Sequence, residues 1–154
     1  MYFTTGFIIK LVYMKNCKSY CPINQALEVF GDKWTLLVIR DIMFDGKRYF
    51  REMLGSEEKI ASNILTDRLN KLEEFGILIK TKDPNHKQKN IYSLTEKGID
   101  LMPVMIGVAN WSTKHREVSE KDKIHVNELV AGGQKLQDKM QDALKKELKL
   151  VSKK

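Results

Sequence analysis

The sequence predicts a mainly α-helical domain carrying one small β-hairpin. Three observations predict it. Apolar residues recur at helical spacing through most of the stretch from Cys21 to His115. Glycines at 31, 46, 55 and 76 punctuate those runs. After Gly76 the period changes: "ILIKTK", and "NIYSL" beyond a polar loop, read as two short strands.

Each element has its own justification. Pro22 stands where a first helical turn tolerates proline, and "INQALEVFG" puts Ile23, Ala26, Leu27 and Phe30 on one side before Gly31. Asp32 suits the N-cap of "KWTLLVIRDIMF", which is apolar nearly all round and so belongs at the centre of the core. "DGK" turns the chain at Asp45 and Gly46. "RYFREMLGS" is a short third helix with Phe50, Met53 and Leu54 as its inner side, ended by Gly55 and Ser56. In "EEKIASNILTDRLNKLEEFG" one stripe runs Ala61, Leu65, Leu69, Leu72, Phe75, and the opposite side holds Ser62, Asn63, Thr66, Asp67 and Asn70. Gly76 is the glycine expected just past a helix end, where a left-handed residue reverses the chain straight into a strand. Thr95 suits the N-cap of a last, largely apolar helix through Trp111, which Pro103 is expected to bend. Beyond His115 the chain is polar and helix-forming, broken at Gly132–Gly133, with Leu136, Met140, Leu144 and Leu148 at i, i+4 spacing. The expected organisation is an N-terminal extension over 1–16, a domain over 17–115 and a helical C-terminal extension over 116–154.

Charge and composition narrow the function. The 154 residues carry a formal charge of +7, but residues 17–115 hold 15 basic and 13 acidic side chains, so most of the excess lies in the two ends. Contact with a polyanion must then come from local placement of lysines, not bulk charge. Two cysteines, Cys17 and Cys21, are too few for a disulfide scaffold and read as free thiols of a cytoplasmic protein. "MYFTTGFIIKLVYMKN" lacks the basic start of a signal peptide and is too short to span a bilayer. It reads as an added strand or helix, or as sequence ahead of a start at Met14. No membrane association is expected. No phosphate-binding glycine loop, nucleophile motif or His–carboxylate cluster supports an enzyme, and His86, His115 and His125 are scattered. Cys17-x-x-x-Cys21 without a second pair is a poor zinc pattern, so neither metal nor cofactor is expected.

Helix, helix, short helix, amphipathic helix, hairpin, helix is the order of a winged helix-turn-helix. A B-DNA major groove about 12 Å wide admits a helix, and short polar side chains can meet base edges there. Ser62, Asn63, Thr66, Asp67 and Asn70 are the expected readers, Asp67 as an acceptor from a cytosine amine. The hairpin tip brings Lys82, His86, Lys87, Gln88 and Lys89, with Lys80 and Asn90 nearby, to where phosphates or a minor groove would lie. The expected partner is double-stranded DNA.

Between residues 17 and 115 the chain resembles the HxlR-type bacterial transcription regulators. "CPINQALEVFGDKWTLLVIRDI" is similar to their opening Cys-Pro and Gly-x-Lys-Trp-Thr signature. "RYFREML" is similar to their Arg-x-Phe-x-Glu-Leu helix, "IASNILTDRLNKLEEFGIL" to their recognition helix, and "IYSLTEKGIDLMPVMIGVANW" to their Tyr-Ser-Leu-Thr-x-x-Gly and Leu-x-Pro-Val helix. The wing tip "PNHKQKN" departs from the proline-richer family wings. The resemblance implies a winged-helix DNA-binding regulator, expected to be a repressor on an inverted repeat, and a homodimer built from terminal helices. The interface residues are then Ile23, Leu27, Met102, Met105, Ile106 and Trp111; the other way to cover the apolar last helix is for the C-terminal extension to fold back over it. The resemblance also aligns Cys21 with a cysteine that some members use to sense oxidants or electrophiles. Burial of Cys21 as a small apolar residue is the competing reading, and a small ligand between dimer halves is the competing signal. A winged-helix module that binds protein rather than DNA is the alternative function.

Overall fold

The computed structural model describes residues 19–152, so the expectations for residues 1–16 and for Cys17 lie outside the described residues. The chain divides into a unit ending at Asp32 and a second unit starting at Lys33. The first contains helix α1 (Pro22–Phe30). Pro22 occupies its first turn, and Gly31 closes it with an N–H to the Leu27 carbonyl at 2.8 Å.

The second unit runs α2 (Lys33–Met43), α3 (Phe50–Leu54), α4 (Ser62–Glu74), β1 (Leu78–Lys82), β2 (Asn90–Leu94), α5 (Glu96–Ile99), α6 (Met102–His115) and α7 (Glu120–Ser152). Mostly helical with one antiparallel hairpin, it is the expected winged helix-turn-helix. Its core draws one or two fully buried large side chains from each of α2, α3, α4, β1, α5 and α6: Ile39, Ile42, Met53, Leu65, Leu72, Leu78, Ile99 and Met102. Each such side chain contributes roughly 1.5–3 kcal/mol by leaving water. In the hairpin Leu78 pairs with Leu94, Lys80 with Tyr92 and Lys82 with Asn90. One further backbone bond, Tyr92 N–H to Arg48 C=O at 2.9 Å, attaches the residue just ahead of the α3 N-cap to the outer edge of β2.

Three local expectations are corrected. Ala61 is exposed at the N-cap of α4 rather than part of its inner stripe, which runs Leu65, Leu69, Leu72. Pro103 does not bend a helix. The chain breaks at Asp100–Leu101, and Pro103 stands in the first turn of α6, where its missing N–H costs nothing. The predicted apolar α2 also buries a charge, Asp41.

Gly133 (φ +54°, ψ −152°) breaks α7 into two helical halves, as the glycine pair predicts. α7 packs against α6, α5 and β2. Val126 and Leu129 are buried, and Leu136, Met140, Leu144 and Leu148 are half-buried. Glu147 pairs with Arg48, and Gln141 Nε2 donates to the Ile99 carbonyl at 3.4 Å. Met102, Met105 and Ile106 are accordingly buried within the chain itself, and the apolar residues of α6 left exposed are Val104, Val108 and Trp111.

Candidate nucleic-acid interface

α4 ends by a backbone device that fixes the direction of the hairpin. Gly76 (φ +68°) donates to Glu73 C=O at 3.0 Å and Ile77 to Leu72 C=O at 2.8 Å, the paired bonds of a Schellman motif. The chain thus leaves the helix and enters β1 within three residues. α5 grips the same corner. Thr95 Oγ1 donates to Gly76 C=O at 2.6 Å, Thr95 N–H reaches Ile77 C=O at 3.0 Å, and Lys97 Nζ reaches Phe75 C=O at 2.7 Å. Gly98 makes this approach possible, since a Cβ there would lie 2.2 Å from Ile77 O.

Leu65, Leu69 and Leu72 bury one face of α4, and all five predicted readers, Ser62, Asn63, Thr66, Asp67 and Asn70, are exposed on the other. Thr66 Oγ1 rests on Ser62 C=O at 2.9 Å. Asp67 does not leave an uncompensated charge in this row. Lys71, 3.1 Å away, and then Arg68 hold its carboxyl below the usual carboxylate range.

The entry to α4 is set by an ionic cluster that sequence reasoning missed. Asp41 accepts from Lys47 Nζ and from Arg40 Nε, both at 3.0 Å, and from Ser56 Oγ. Arg40 also forks onto Glu58, which lowers the Glu58 carboxyl to about 2. The cluster joins the end of α2, the turn at Lys47 and the loop after α3. In that loop Lys59 takes a left-handed φ of +52° just before α4. An Asp one residue after an Arg in an apolar helix was the available signal; the apolar run around it hid it.

At the wing, Lys82, His86, Lys87, Gln88 and Lys89 are all exposed. Lys80 is already paired with Glu73 at 3.3 Å, which ties β1 to α4. The tip is not a free loop. Asp83, only 3 % exposed, accepts Asn85 N–H at 2.8 Å and the Tyr49 hydroxyl at 2.9 Å. These donors, Asn85 first, keep its carboxyl below the usual range, and the same bond pushes the Tyr49 hydroxyl up. Lys89 Nζ lies 5.8 Å from the centre of the Tyr49 ring. Sequence alone places Asp83 in the polar loop between the strands and gives no sign of its burial.

In the first unit, Cys21 is the N-cap of α1 and its thiol is free and exposed. The Asn24 and then the Ile23 backbone N–H draw its pKa below the ordinary thiol value. Ile23 and Leu27 of the same helix are exposed. Among the described residues no group of His, Cys, Asp or Glu is arranged to hold a metal ion, and no helix is long and apolar enough to cross a membrane.

The model of the HxlR-like helix-turn-helix family matches residues 29–120. The HTH-type transcriptional regulator YodB of Bacillus subtilis is 32 % identical over 110 residues, 68 % of this chain and 97 % of YodB. YybR of the same organism, also named as an HTH-type transcriptional regulator, is 34 % identical over 103 residues, 67 % of this chain and 82 % of YybR. Among solved structures, the redox regulator HypR in its oxidized form superposes with a TM-score of 0.56 at 34 % identity, covering 64 % of this chain and all of HypR. The chain therefore belongs to the HxlR-like helix-turn-helix family and is a transcriptional regulator.

Proposed function

We propose that this regulator acts as a homodimeric repressor that reads an inverted-repeat DNA operator with α4 and holds the flanking phosphates with its wing. What carries the reading is the exposed row Ser62, Asn63, Thr66, Asp67 and Asn70 beside a basic tip whose base is pinned to α3. Asn63 and Thr66 read bases; Lys82, Lys87 and Lys89, with His86 and Gln88, supply sequence-independent grip. Val104, Val108 and Trp111 on α6, with Ile23 and Leu27 on α1, are the exposed apolar residues we assign to contact with a second copy. Half-sites then lie one or two DNA turns apart. The protein works in the cytoplasm and needs no catalysis and no cofactor.

The signal we assign is an oxidant or electrophile acting on Cys21. Its exposure, its lowered pKa and the relationship to HypR, a redox regulator, support this.

The test is binding of the full-length protein to its own promoter region across a salt series. The expected complex is specific and weakens steeply with salt. Asn63→Ala or Thr66→Ala relaxes sequence preference, by about 1–3 kcal/mol at the affected base pair. Lys87→Ala with Lys89→Ala weakens every duplex alike and flattens the salt slope by about 2. Equal effects from both sets, or no salt-sensitive complex, overturn the reading and favour a protein-binding module. Diamide should shift the affinity of the wild type and leave Cys21→Ser unmoved; the same shift in both ends the thiol assignment.

A further inference from the structure

A two-stranded hairpin is marginal on its own, and a seven-residue tip is usually its most mobile part. Here the tip, residues 83–89, is closed on itself. Asp83 N–H bonds Lys89 C=O at 3.0 Å, Lys89 N–H bonds His86 C=O at 2.7 Å, and Asn85 N–H bonds Asp83 Oδ1 at 2.8 Å. Those three bonds shape the tip but do not place it. One side-chain bond leaves it: the Tyr49 hydroxyl donates to Asp83 Oδ2 at 2.9 Å. Tyr49 is a firm anchor. It is the N-cap of α3, and Glu52 accepts both the Arg48 N–H at 2.7 Å and the Tyr49 N–H at 3.0 Å. The neighbouring Arg48 carbonyl holds β2 through Tyr92. Two adjacent residues at the start of α3 thus hold the wing at two points, mid-strand and tip. The Tyr49 ring also lies beneath the Lys89 ammonium. A buried carboxylate costs free energy unless its acceptors are used, so Asp83 holds its place only while these donors do.

We propose that Tyr49 and Asp83 form a latch that sets the wing against the helix-turn-helix, and that both are positioning residues for the phosphate contacts of Lys87 and Lys89. The proposal rests on the DNA reading above. It extends that reading from the residues that grip to the pair that aims them. A latched tip arrives already ordered, so binding loses less conformational entropy there. Without the latch each lysine must be ordered on the DNA.

The experiment uses the full-length protein, amide hydrogen exchange over residues 83–90, and fluorescence anisotropy with the specific and an unrelated duplex. Tyr49→Phe keeps the ring and removes the hydroxyl. The expected result is faster exchange at Asn85–Lys89, a thermal midpoint lowered by no more than about 2–4 °C, and affinity for both duplexes down by about three- to tenfold. In a Lys87→Ala, Lys89→Ala background Tyr49→Phe should cost much less, because only His86 and Gln88 are left at the tip to aim. Asp83→Asn, which keeps the shape and one acceptor oxygen, should lose less than Asp83→Ala. Unchanged exchange in Tyr49→Phe, or a full additional loss in the double-lysine background, overturns the latch. A wild type that binds neither duplex overturns the DNA reading and the aiming role with it. A wild type that binds while Tyr49→Phe binds equally well overturns the latch alone.

Discussion

Asp41 Oδ2 and Lys47 Nζ stand 3.0 Å apart with the carboxylate almost wholly out of water. The same carboxylate accepts from Arg40 and Ser56, so one acidic group joins the end of α2, the turn after it and the loop that leads to α4. The cations are less buried than their partner: Arg40 is 29 % and Lys47 23 % exposed at the side chain. That asymmetry decides how removal behaves.

Asp41→Ala leaves three donors without their acceptor, but two of them can recover water. The cost therefore falls at the low end for breaking a buried ion pair, about 3 kcal/mol. At this chain length that lowers the thermal midpoint by roughly 6–12 °C. Asp41→Asn keeps the shape and one acceptor oxygen and should lose less than half as much. Equal losses in the two variants would show that the charge, not the shape and the remaining acceptor, holds the cluster.

Glu58 makes the same cluster sensitive to acid. Its carboxyl titrates at about 2 against an ordinary 4.5, chiefly because Arg40 donates to it. The folded value is the lower one, so the unfolded chain binds the proton first. The stabilisation is full above pH 4.5 and is lost as pH falls through 4.5 towards 2. Its size is on the order of 2 kcal/mol once the partial exposure of both partners is allowed for. Thermal melts of wild type and Glu58→Gln should differ by a constant amount above pH 5 and converge near pH 2. A gap that stays constant through that range would remove Glu58 from the acid response.

These two predictions concern residues whose roles the sequence concealed, and the reason is physical. Period and punctuation reveal elements. Leu65, Leu69 and Leu72 mark the inner face of α4, and Gly76 marks its end, because spacing and a positive φ leave a local imprint. The exposed row from Ser62 to Asn70 follows as the complement of that stripe. Asp41 and Asp83 leave no such imprint. Each is buried only because partners distant in sequence, Ser56 in one case and Tyr49 in the other, arrive beside it. Pro103 was ambiguous for the opposite reason: a proline marks either a bend or a first turn, and only the packing of α5 against Ile77 decides which.

Gly98→Ala tests that corner. The added methyl would lie 2.2 Å from a backbone oxygen and 3.0 Å from Leu94 Cδ2, and a carbonyl held by Thr95 has little room to yield. The expected loss is about 2–3 kcal/mol. Gly55→Ala is the control. Its neighbours stay at ordinary contact distance and its φ of −77° suits any residue, so the change should fall within about 0.5 kcal/mol. Similar midpoints for the two variants, measured by thermal unfolding, would mean that α5 is not wedged against Ile77.

The last prediction concerns assembly. Val104, Val108 and Trp111 follow one another at spacings of four and three, which makes them one stripe along α6, and the indole is 58 % exposed. The buried side of the same helix, Met102, Met105 and Ile106, is already satisfied within the chain, so this stripe is the part of α6 that a second copy would cover under the proposed function. Trp111→Glu puts a charge at its C-terminal end, on its largest side chain. If a second copy covers the stripe, the solution mass should fall from two chains to one, with helix content retained because the changed side chain faces outward. Affinity for the full inverted repeat should then drop by about a hundredfold, since the second half-site is no longer held at high effective concentration, while the weak affinity for a single half-site stays as it was. Leu150→Glu, also exposed but near the end of α7, should leave both mass and binding unchanged. A Trp111→Glu protein that still runs as two chains would place the subunit contact elsewhere and leave the stripe on α6 without its proposed occupant.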